Sequence, residues 1–292
     1  MHEAERGKTV RRIARSGDPD RALAALFAPR EARPDLLALC AFNVELARIA
    51  GQVSEPELGE IRLQWWREAI ARAGQGEAVG HPVVDAFGQT VRRHALPAER
   101  IAKLIDARQF DIVTKIMPGG RALETYLQET AGAMFFLGAA CLGAQGPGLD
   151  RAATEAGLAY GLTGLMRALP VHAAQGRVYL PADALRSHGT SPDAVLAGSA
   201  SQGLRAFLAA LRDKARSAYE EARRHVARLD KAASAAFLPL SLVSPYLAAL
   251  EALDRRGGDP LREIADINPL HRFWRLARWR RSEEHTSELQ SR

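Results

Sequence analysis

Long apolar segments with helical periodicity, separated by proline and glycine, constrain the fold of this chain more than any other feature. After Pro97, apolar residues recur at the spacing of one helix face, at Ile101, Leu104, Ile105 and Ile112. Alanine, leucine and arginine are abundant and favour helices, whereas the β-branched residues that favour strands are sparse. The pattern predicts an all-α fold in which the helices pack as one bundle-like domain.

Capping and turn residues predict where several helices begin and end. Asp18 precedes a proline and an apolar segment, which predicts an N-cap, and Ser54 is predicted to cap the helix that follows it. Pro170 is expected to stop or kink its helix, because proline lacks the amide hydrogen of the helical ladder. The uncharged stretches 131–149 and 232–250 contain proline, glycine or serine, so they are interpreted as buried core helices rather than membrane spans.

The domain organisation is simple. Residues 1–280 contain no long linker and are predicted to form a single domain. Residues 281–292 resemble the translation of a common sequencing-library adapter, so they are excluded from the fold as an artefactual tail. Cys40 and Cys141 lie in apolar stretches, and both are expected to be buried thiols in a reducing compartment.

The formal net charge is +6 and the sequence pI is near 9.7. This excess suits an anionic partner, but it also results where a genome encodes arginine in place of lysine. No nucleic-acid recognition motif accompanies the charge, so nucleic acid is not an expected partner. Arg272, Arg275 and Arg278 alternate with aromatic residues, which favours a packed helix with a solvated basic face. Peripheral docking of this helix on an anionic membrane is the alternative.

Common catalytic motifs are missing from the sequence. It contains no P-loop, no Gly-x-Ser-x-Gly, no dinucleotide-binding fingerprint after a strand and no paired cysteines with metal-binding spacing. Asp106 and Asp111 share one predicted helix, but a separation of five residues places them off a common face. They are therefore interpreted as surface acids rather than as ligands of one metal ion.

Four segments carry a resemblance to a known family. They are ALCAFNVELARIAGQ (38–52), LQWWREAI (63–70), YLQETAGAM (126–134) and GLTGLMRALPVHAAQGRVYLPADAL (161–185). The last is the most specific, because the segment that runs from Gly176 to Pro181 follows Arg167 at the expected distance. On these segments the chain resembles the squalene/phytoene synthase family over nearly all of residues 1–280.

The resemblance implies an all-α bundle around a central cavity. Enzymes of the family join two prenyl diphosphates head to head, with Mg²⁺ bridging each diphosphate to aspartates on two facing helices. The chemistry requires this because Mg²⁺ prefers hard oxygen ligands and a departing diphosphate needs its charge neutralised. Aspartates four residues apart share one helix face and therefore reach the same ion.

This chain has other residues where the resemblance places those acids. The positions are Ala47, Arg48, Gly51 and Gln52 on the first helix, and Ala168 and His172 on the second. Arg48 puts a positive charge where a dication should lie, and two solvated unit charges about 4 Å apart already repel by about 1 kcal/mol. The expectation is therefore no catalytic residue, no metal site and no metal cofactor.

The resemblance also places several residues near the diphosphate end of the cavity. These candidate anion- or ligand-binding residues are Arg48, Gln64, Arg167, Arg177 and Tyr179. One interpretation is that an anion pocket persists, with Arg48 in place of the metal charge, since arginine binds phosphate well. The other is that these residues are inherited structural pairs, with Arg177 bound to a nearby carboxylate.

The replacements resemble the branch of the family that contains the mitochondrial complex I assembly factor. On this resemblance the chain is a pseudoenzyme that acts as an assembly factor or scaffold, with a protein partner in respiratory complex assembly. The alternatives are a metal-free binder of a prenyl or lipid ligand and an active prenyltransferase that uses Mg²⁺ with relocated ligands. The candidate relocated ligands are Glu45, Glu55, Glu60, Asp106 and Asp111. The expected location is the cytoplasm or the inner face of the membrane, which is the matrix in a mitochondrion.

Overall fold

The computed structural model describes the backbone of residues 3–290 and the side chains of these residues except 147, 231 and 280–290. Helices make up 76% of the molecule. Extended backbone pairs within these described residues only at a parallel bridge between Ile116 and Val178. The predicted all-α class is confirmed.

The helices follow one another with short connections. In the first half of the chain the α-helices are α1 (Glu3–Gly17), α2 (Pro19–Ala24), α3 (Arg33–Gln52), α4 (Pro56–Gly74), α5 (Pro82–Arg93), α6 (Ala98–Ala107), α7 (Gln109–Val113), α8 (Gly120–Leu127) and α9 (Ala133–Ala140). In the second half they are α10 (Pro147–Ala174), α11 (Ala182–Ser187), α12 (Pro192–Leu196), α13 (Gln202–Val226), α14 (Lys231–Ser234), α15 (Val243–Arg255) and α16 (Pro269–Gln290). The 3₁₀ segments are Ala25–Phe27 and Ala235–Leu242, and a π-helical segment, Gln128–Gly132, joins α8 to α9.

The core consists of two apolar clusters. In the first, Phe42 of α3 stacks on Phe87 of α5 with 4.4 Å between ring centroids and meets the edge of Trp66 of α4 at 5.7 Å. In the second, α10 packs along α13, and Phe135 of α9 stacks on Phe237 at 5.4 Å. Each buried phenylalanine stabilises the fold by about 2 kcal/mol through its removal from water. Since α9 contributes residues to both clusters, it ties the two halves into one body.

Of the two helix N-caps predicted from the sequence, the structure confirms one and contradicts the other. The predicted N-cap at Asp18 is confirmed, because its carboxylate accepts the Arg21 amide at 3.1 Å and pairs with the Arg21 guanidinium at 2.8 Å. The cap predicted at Ser54 is wrong, since α4 begins one residue later and has no side-chain cap. Pro56 takes the first helical position instead, where its fixed φ angle suits a helix and its missing N–H is not needed.

Two further features differ from the sequence expectations. Pro170 does not stop α10, which continues for one more turn to Ala174, and the kink expected as the other outcome stays a prediction. Helix α5 was not expected from the sequence. Its inward face consists of Val83, Val84 and Phe87, which are fully buried and spaced as one helix face, so the periodic signal was present in the sequence and was missed.

The most apolar stretch of the chain lies inside the protein. By length and composition alone, Ala232–Arg255 resembles a membrane span, but 72% of its most apolar window is buried. Tyr246, in the middle of this stretch, is 1% exposed. This burial supports the prediction that residues 232–250 form part of the core.

Glycines allow α10 to approach the π-helical segment closely. A Cβ atom added to Gly157 would lie 2.4 Å from the backbone nitrogen of Gly132, so a side chain does not fit there. At Gly161, one turn along α10, an added Cβ would lie 2.6 Å from the side chain of Leu127. Gly164, on the same helix, has no atom within 4 Å of an added Cβ. The two helical segments therefore contact through their backbones.

Replacement of Gly157 by alanine is expected to lower the free energy of unfolding by about 1–3 kcal/mol, because the new methyl collides with backbone rather than with a movable side chain. The matched substitution Gly164→Ala adds a methyl in open space and is expected to raise the free energy of unfolding by about 0.5–1 kcal/mol. Chemical unfolding followed by circular dichroism measures both values. Equal effects of the two substitutions would contradict this helix packing.

Candidate functional site

A buried carboxylate, that of Asp111, organises the interior near α3 and α10; the side chain is 5% exposed. The hydroxyls of Tyr126 and Tyr179 both donate to its Oδ1 atom, at 2.8 and 2.7 Å. Arg108 Nη1 donates to the other carboxylate oxygen at 3.1 Å and to the Tyr126 hydroxyl at 3.0 Å. Arg108 Nη2 donates to Asn43 Oδ1 at 2.8 Å. These five residues are called the Asp111 network below.

The network is positioned by a one-turn helix and a short backbone pairing. Arg108 precedes α7, and Asp111 lies three residues later, so both side chains project from the same face of that turn. The chain leaves α10 through Gly176, whose φ of +71° favours glycine. Val178 then pairs with residues 115–117 through two backbone hydrogen bonds of 2.8 Å, which holds Tyr179 beside α7.

Burial keeps the donors of the network protonated. It raises the pKa of Tyr126 well above the usual value, against the opposing effect of the Arg108 charge. Burial also raises the pKa of Tyr179, and the neighbouring Asp111 charge raises it further. Both hydroxyls therefore remain hydrogen-bond donors at neutral pH.

A ring cluster covers the network and extends it to α10. The rings of Phe110, Tyr126 and Tyr179 lie 5.5 to 5.8 Å apart in pairs, and the His172 ring lies 4.6 Å from Tyr179. Burial lowers the pKa of His172 to about 4, although the charge of Asp111 opposes the shift. His172 is therefore neutral near pH 7 and offers an anion no positive charge there.

The structure places at the surface most of the α3 positions where the resemblance puts the family's aspartates. Three of them are exposed: Ala47, Gly51 and Gln52. Arg48 is half-buried, donates to Ser16 Oγ at 3.1 Å and contacts Glu45 at 3.4 Å. Ala168 on α10 is half-buried and provides no ligand atom. The donor set at these positions does not fit Mg²⁺, which needs several oxygen ligands.

The two arginines of the fourth segment, Arg167 and Arg177, bind different elements. Arg177 donates to the Ala50 carbonyl at 2.7 Å, and not to a carboxylate, in the last turn of α3 where helix carbonyls carry partial negative charge. Arg167 donates to the Ala265 carbonyl at 3.1 Å and to Asp266 at 2.9 Å. The proposed role of Arg167 and Arg177 in anion binding stays a prediction.

A second polar cluster ties α2 to the end of the chain. Tyr246 donates its hydroxyl hydrogen to Asp20 Oδ2 at 2.7 Å, and the Arg167 guanidinium lies 3.5 Å from the centre of the Tyr246 ring. Arg272 donates to both oxygens of Asp266, at 2.6 and 2.7 Å, and lies 3.6 Å from Asp20. Burial raises the pKa of Asp20, although the Tyr246 hydrogen bond and the Arg272 charge lower it.

The prediction of a solvated basic face on the last helix is wrong for two of its arginines. Arg272 binds inward as described, and Arg275 donates to the Ser241 carbonyl at 3.2 Å. Leu270, Phe273 and Trp274 are exposed instead. The physical reason is that buried acceptors of α2 and the 3₁₀ segment Ala235–Leu242 attract the guanidinium groups, which turns the aromatic face outward.

The α4 candidates lie on the outer side of the molecule. Gln64 is exposed and donates to Glu68 at 2.6 Å. Trp66 is buried, whereas Trp65 is 42% exposed. The two adjacent tryptophans therefore lie in different environments, one in the core and one partly in solvent.

The acids considered as relocated metal ligands do not form one group. Three of these acids each bind a different side chain: Glu45 contacts Arg48, Glu60 accepts a hydrogen bond from Gln109, and Asp106 pairs with Arg67. Glu55 is exposed before α4. Within the part of the chain that the structure describes, no three His, Cys, Asp or Glu side chains lie close enough together to hold a metal ion.

The interpretation of Asp111 as a surface acid is wrong, whereas Asp106 is exposed as predicted. The reason is that α6 ends at Ala107, so the next turn has a different inward face from the one that α6 periodicity predicts. Sequence reasoning also missed Arg108, Tyr126 and Asn43. A signal was present in the Arg108-x-x-Asp111 spacing between apolar residues, which is typical of a paired buried acid.

Two pockets inside the protein are small. One, lined by Met166 and Leu250, has a cavity volume of about 20 Å³, and another, lined by Cys40 and Met134, has about 30 Å³. Spaces of this size hold single water molecules, whereas sites for drug-sized ligands are about 300–1,000 Å³. Two larger pockets, of about 570 and 480 Å³, are open to solvent on the outer side of α4 and α7.

Comparison with known proteins gives consistent matches. The model of the squalene/phytoene synthase family matches residues 14–280. Assembly factor 6 of NADH dehydrogenase (ubiquinone) complex I from Rattus norvegicus is 30% identical over 242 residues, or 83% of this chain and 73% of the relative. A phytoene synthase from Thermus thermophilus is 28% identical over 217 residues, 73% of this chain and 72% of that enzyme. The crystal structure of squalene synthase HpnC from Alicyclobacillus acidocaldarius has the same fold, with a TM-score of 0.76, 24% identity and coverage of 87% and 94%.

Asp111→Asn is expected to lower the free energy of unfolding by about 3 kcal/mol, because it leaves the buried Arg108 guanidinium without a counter-charge. The matched change Asp106→Asn removes an exposed ion pair with Arg67 and is expected to cost less than about 1 kcal/mol. Denaturant unfolding at pH 7 measures both. Comparable losses of unfolding free energy in the two variants would show that the interior does not depend on the buried contacts of Asp111.

The pKa of His172 generates a pH dependence of stability. Since it is lowered to about 4 in the folded state, from 6.5, the unfolded chain binds a proton that the folded chain does not. The free energy of unfolding is therefore expected to fall as pH decreases from about 6.5 to about 4, and protonation of His172 accounts for about 1–3 kcal/mol of this fall. His172→Gln should flatten the profile of unfolding free energy over this range. The exposed control His271→Gln should leave it unchanged, and parallel profiles for all three proteins would refute the assignment.

Proposed function

This chain belongs to the squalene/phytoene synthase family, and we propose that it is a non-catalytic member that acts as an assembly factor or scaffold for respiratory NADH dehydrogenase. The relative from Rattus norvegicus, an assembly factor of complex I, supports this function through 30% identity over most of both chains. In this proposal the chain keeps the fold of a prenyl synthase and has a protein partner. It has no metal cofactor.

The observation that carries the proposal is the Asp111 network. A synthase needs carboxylates that are free to bind metal opposite each other, because the departing diphosphate must be neutralised. Here Asp111 is already bound by Arg108 and two tyrosine hydroxyls. In this proposal the charge of Asp111 stabilises the interior rather than a metal ion.

The positively charged residues near the replaced acids are used in a similar way. Arg177 binds the end of α3, Arg167 binds the residues before α16, and Arg48 binds Ser16 of α1. Each of these contacts links elements that are distant in sequence. In the proposed function these residues stabilise a rigid helical body that presents its surface to a partner.

The proposed location is the cytoplasm at the inner face of the respiratory membrane, or the matrix if the protein is mitochondrial. The thiols of Cys40 and Cys141 are buried, and burial raises the pKa of both, so neither is a reactive nucleophile. This agrees with a chain that does not depend on disulfides. The exposed Leu270, Phe273 and Trp274 would allow peripheral contact with a membrane.

Incubation of the purified protein with farnesyl or geranylgeranyl diphosphate and Mg²⁺ is expected to yield no hydrocarbon above a heat-inactivated control. The phytoene synthase from Thermus thermophilus, assayed in parallel, serves as the active control. Extraction and chromatography of the products provide the measurement. Hydrocarbon formed by this chain would overturn the proposal, and its loss in Asp106→Asn or Asp111→Asn would identify relocated ligands. Thermal stabilisation by a prenyl diphosphate in the presence of chelator would instead indicate a metal-free ligand binder.

Deletion of the gene is expected to lower the amount of assembled NADH dehydrogenase, as measured by native electrophoresis with in-gel activity. The membrane content of carotenoids or hopanoids should not change. A normal amount of assembled complex together with altered isoprenoids would contradict the proposed function.

A further inference from the structure

Helix α4 carries an apolar stripe on its outer face as well as on its inner face. Leu63, Trp66 and Ile70 point into the core. On the other side Ile61 is 65% exposed and Trp65 is 42% exposed. Leu58 lies one turn before Ile61 and is 48% exposed, so the three exposed residues follow the helical spacing of one face. An exposed stripe of this kind is typical of an interaction surface.

The stripe borders a long groove. The open pockets of about 570 and 480 Å³ meet at Gln109, which lines both. The first pocket includes Ile61 and Trp65, and the second includes Phe110 and Val113, of which Val113 is 52% exposed. The two together are called the α4–α8 groove, because they extend from α4 across α7 to α8. Both pockets are open to solvent, so they fit a chain segment laid across them rather than an enclosed small molecule.

The α4–α8 groove is acidic although the chain as a whole is basic. Its lining acids are Glu60, Glu68, Asp106 and Glu129. Among the described residues that line the two pockets, Arg67 is the single cation, and it already pairs with Asp106. The formal net charge of the whole chain is +6, which makes this local excess of negative charge distinctive. Charge complementarity therefore favours a positively charged occupant.

We propose that the α4–α8 groove binds a basic amphipathic helix of a partner protein. This inference rests on the proposed scaffold function, for which it supplies the docking surface. The apolar face of the bound helix would lie on Ile61, Trp65 and Val113, with its lysines and arginines next to Glu60 and Glu68. Apolar side chains one and two turns apart on the bound helix would match the spacing of Leu58, Ile61 and Trp65.

A second copy of this chain is a less suitable occupant. Its basic aromatic helix α16 would have to dock on a groove formed by a different part of the molecule. Such a contact joins two different surfaces of the same chain. Further copies would therefore add to form an open filament, unless the rotation between neighbouring copies closes a ring. A separate partner protein binds once and needs no such closure.

The probes for the test are two fluorescein-labelled synthetic helices of about 18 residues with the same leucine face, one with lysine and one with glutamate at the polar positions. Fluorescence anisotropy with the full chain measures the affinity. The lysine peptide is expected to bind about tenfold more tightly than the glutamate peptide, and its affinity should fall as salt is added. Equal binding of both peptides, or no binding at about 1 mM, would overturn the proposal.

Charge reversal in the groove provides the decisive comparison. Glu60→Lys with Glu68→Lys is expected to weaken the lysine peptide about tenfold and to strengthen the glutamate peptide. The control, Asp193→Lys with Glu220→Lys, changes the net charge equally at exposed sites on α12 and α13 and should leave both affinities unchanged. Ile61→Ser should weaken both peptides, whereas Leu196→Ser, at a residue 38% exposed on α12, should not. Equal effects of groove and control variants would refute the assigned surface.

Complementation of the deletion strain separates this inference from the proposed function. The Glu60→Lys, Glu68→Lys variant is expected to fail to restore assembled NADH dehydrogenase, and the Asp193→Lys, Glu220→Lys control is expected to restore it. If the groove variant restores the complex, the groove inference fails while the scaffold function stands. If deletion leaves the complex intact, the scaffold function fails, and the peptide data still decide whether the groove binds basic helices. Sedimentation that shows groove-dependent self-association would replace the partner by a second copy and overturn the inference.

Discussion

The neutralisation of one buried carboxylate underlies the arrangement of this protein. Asp111 lies in a low-dielectric interior, where an ionised group persists only with a counter-charge and with hydrogen bonds to its oxygens. Arg108 supplies the charge, and Tyr126 and Tyr179 supply further donors. Because the tyrosines come from α8 and from the segment after α10, satisfying this one acid brings three distant parts of the chain together.

The same principle explains how a prenyl-synthase fold can persist without synthase chemistry in the function proposed above. In an active enzyme the interior charges would have to remain available to substrate and metal. In this chain the arginines instead satisfy carbonyls and acids of neighbouring elements, as Arg177 does at the end of α3 and Arg272 does beside Asp266. Because these interior charges are paired within the protein, the proposed function depends on the outer surface, including the α4–α8 groove.

Sequence reasoning was accurate where local signals are strong. The all-α class and the cap at Asp18 depend on helix periodicity and on contacts within a few residues, and both are confirmed. The cap at Ser54 was misplaced because Pro56 nearby is an equally good helix start, whereas the periodicity of α5 was present in the sequence and was missed. The burial of Asp111 and the inward direction of Arg272 could not be predicted, since each depends on partners that lie far away in sequence, such as Tyr179 and Asp20.

The sequence by itself determined the family and the helical class, because these follow from residue types and their spacing along one chain. Only the tertiary structure decided which charges are paired, which face of α16 points inward and where an acidic apolar groove forms on α4 and α7. The physical reason is that the environment of an ionisable or apolar side chain is set by the elements that pack around it, and local sequence does not specify those elements.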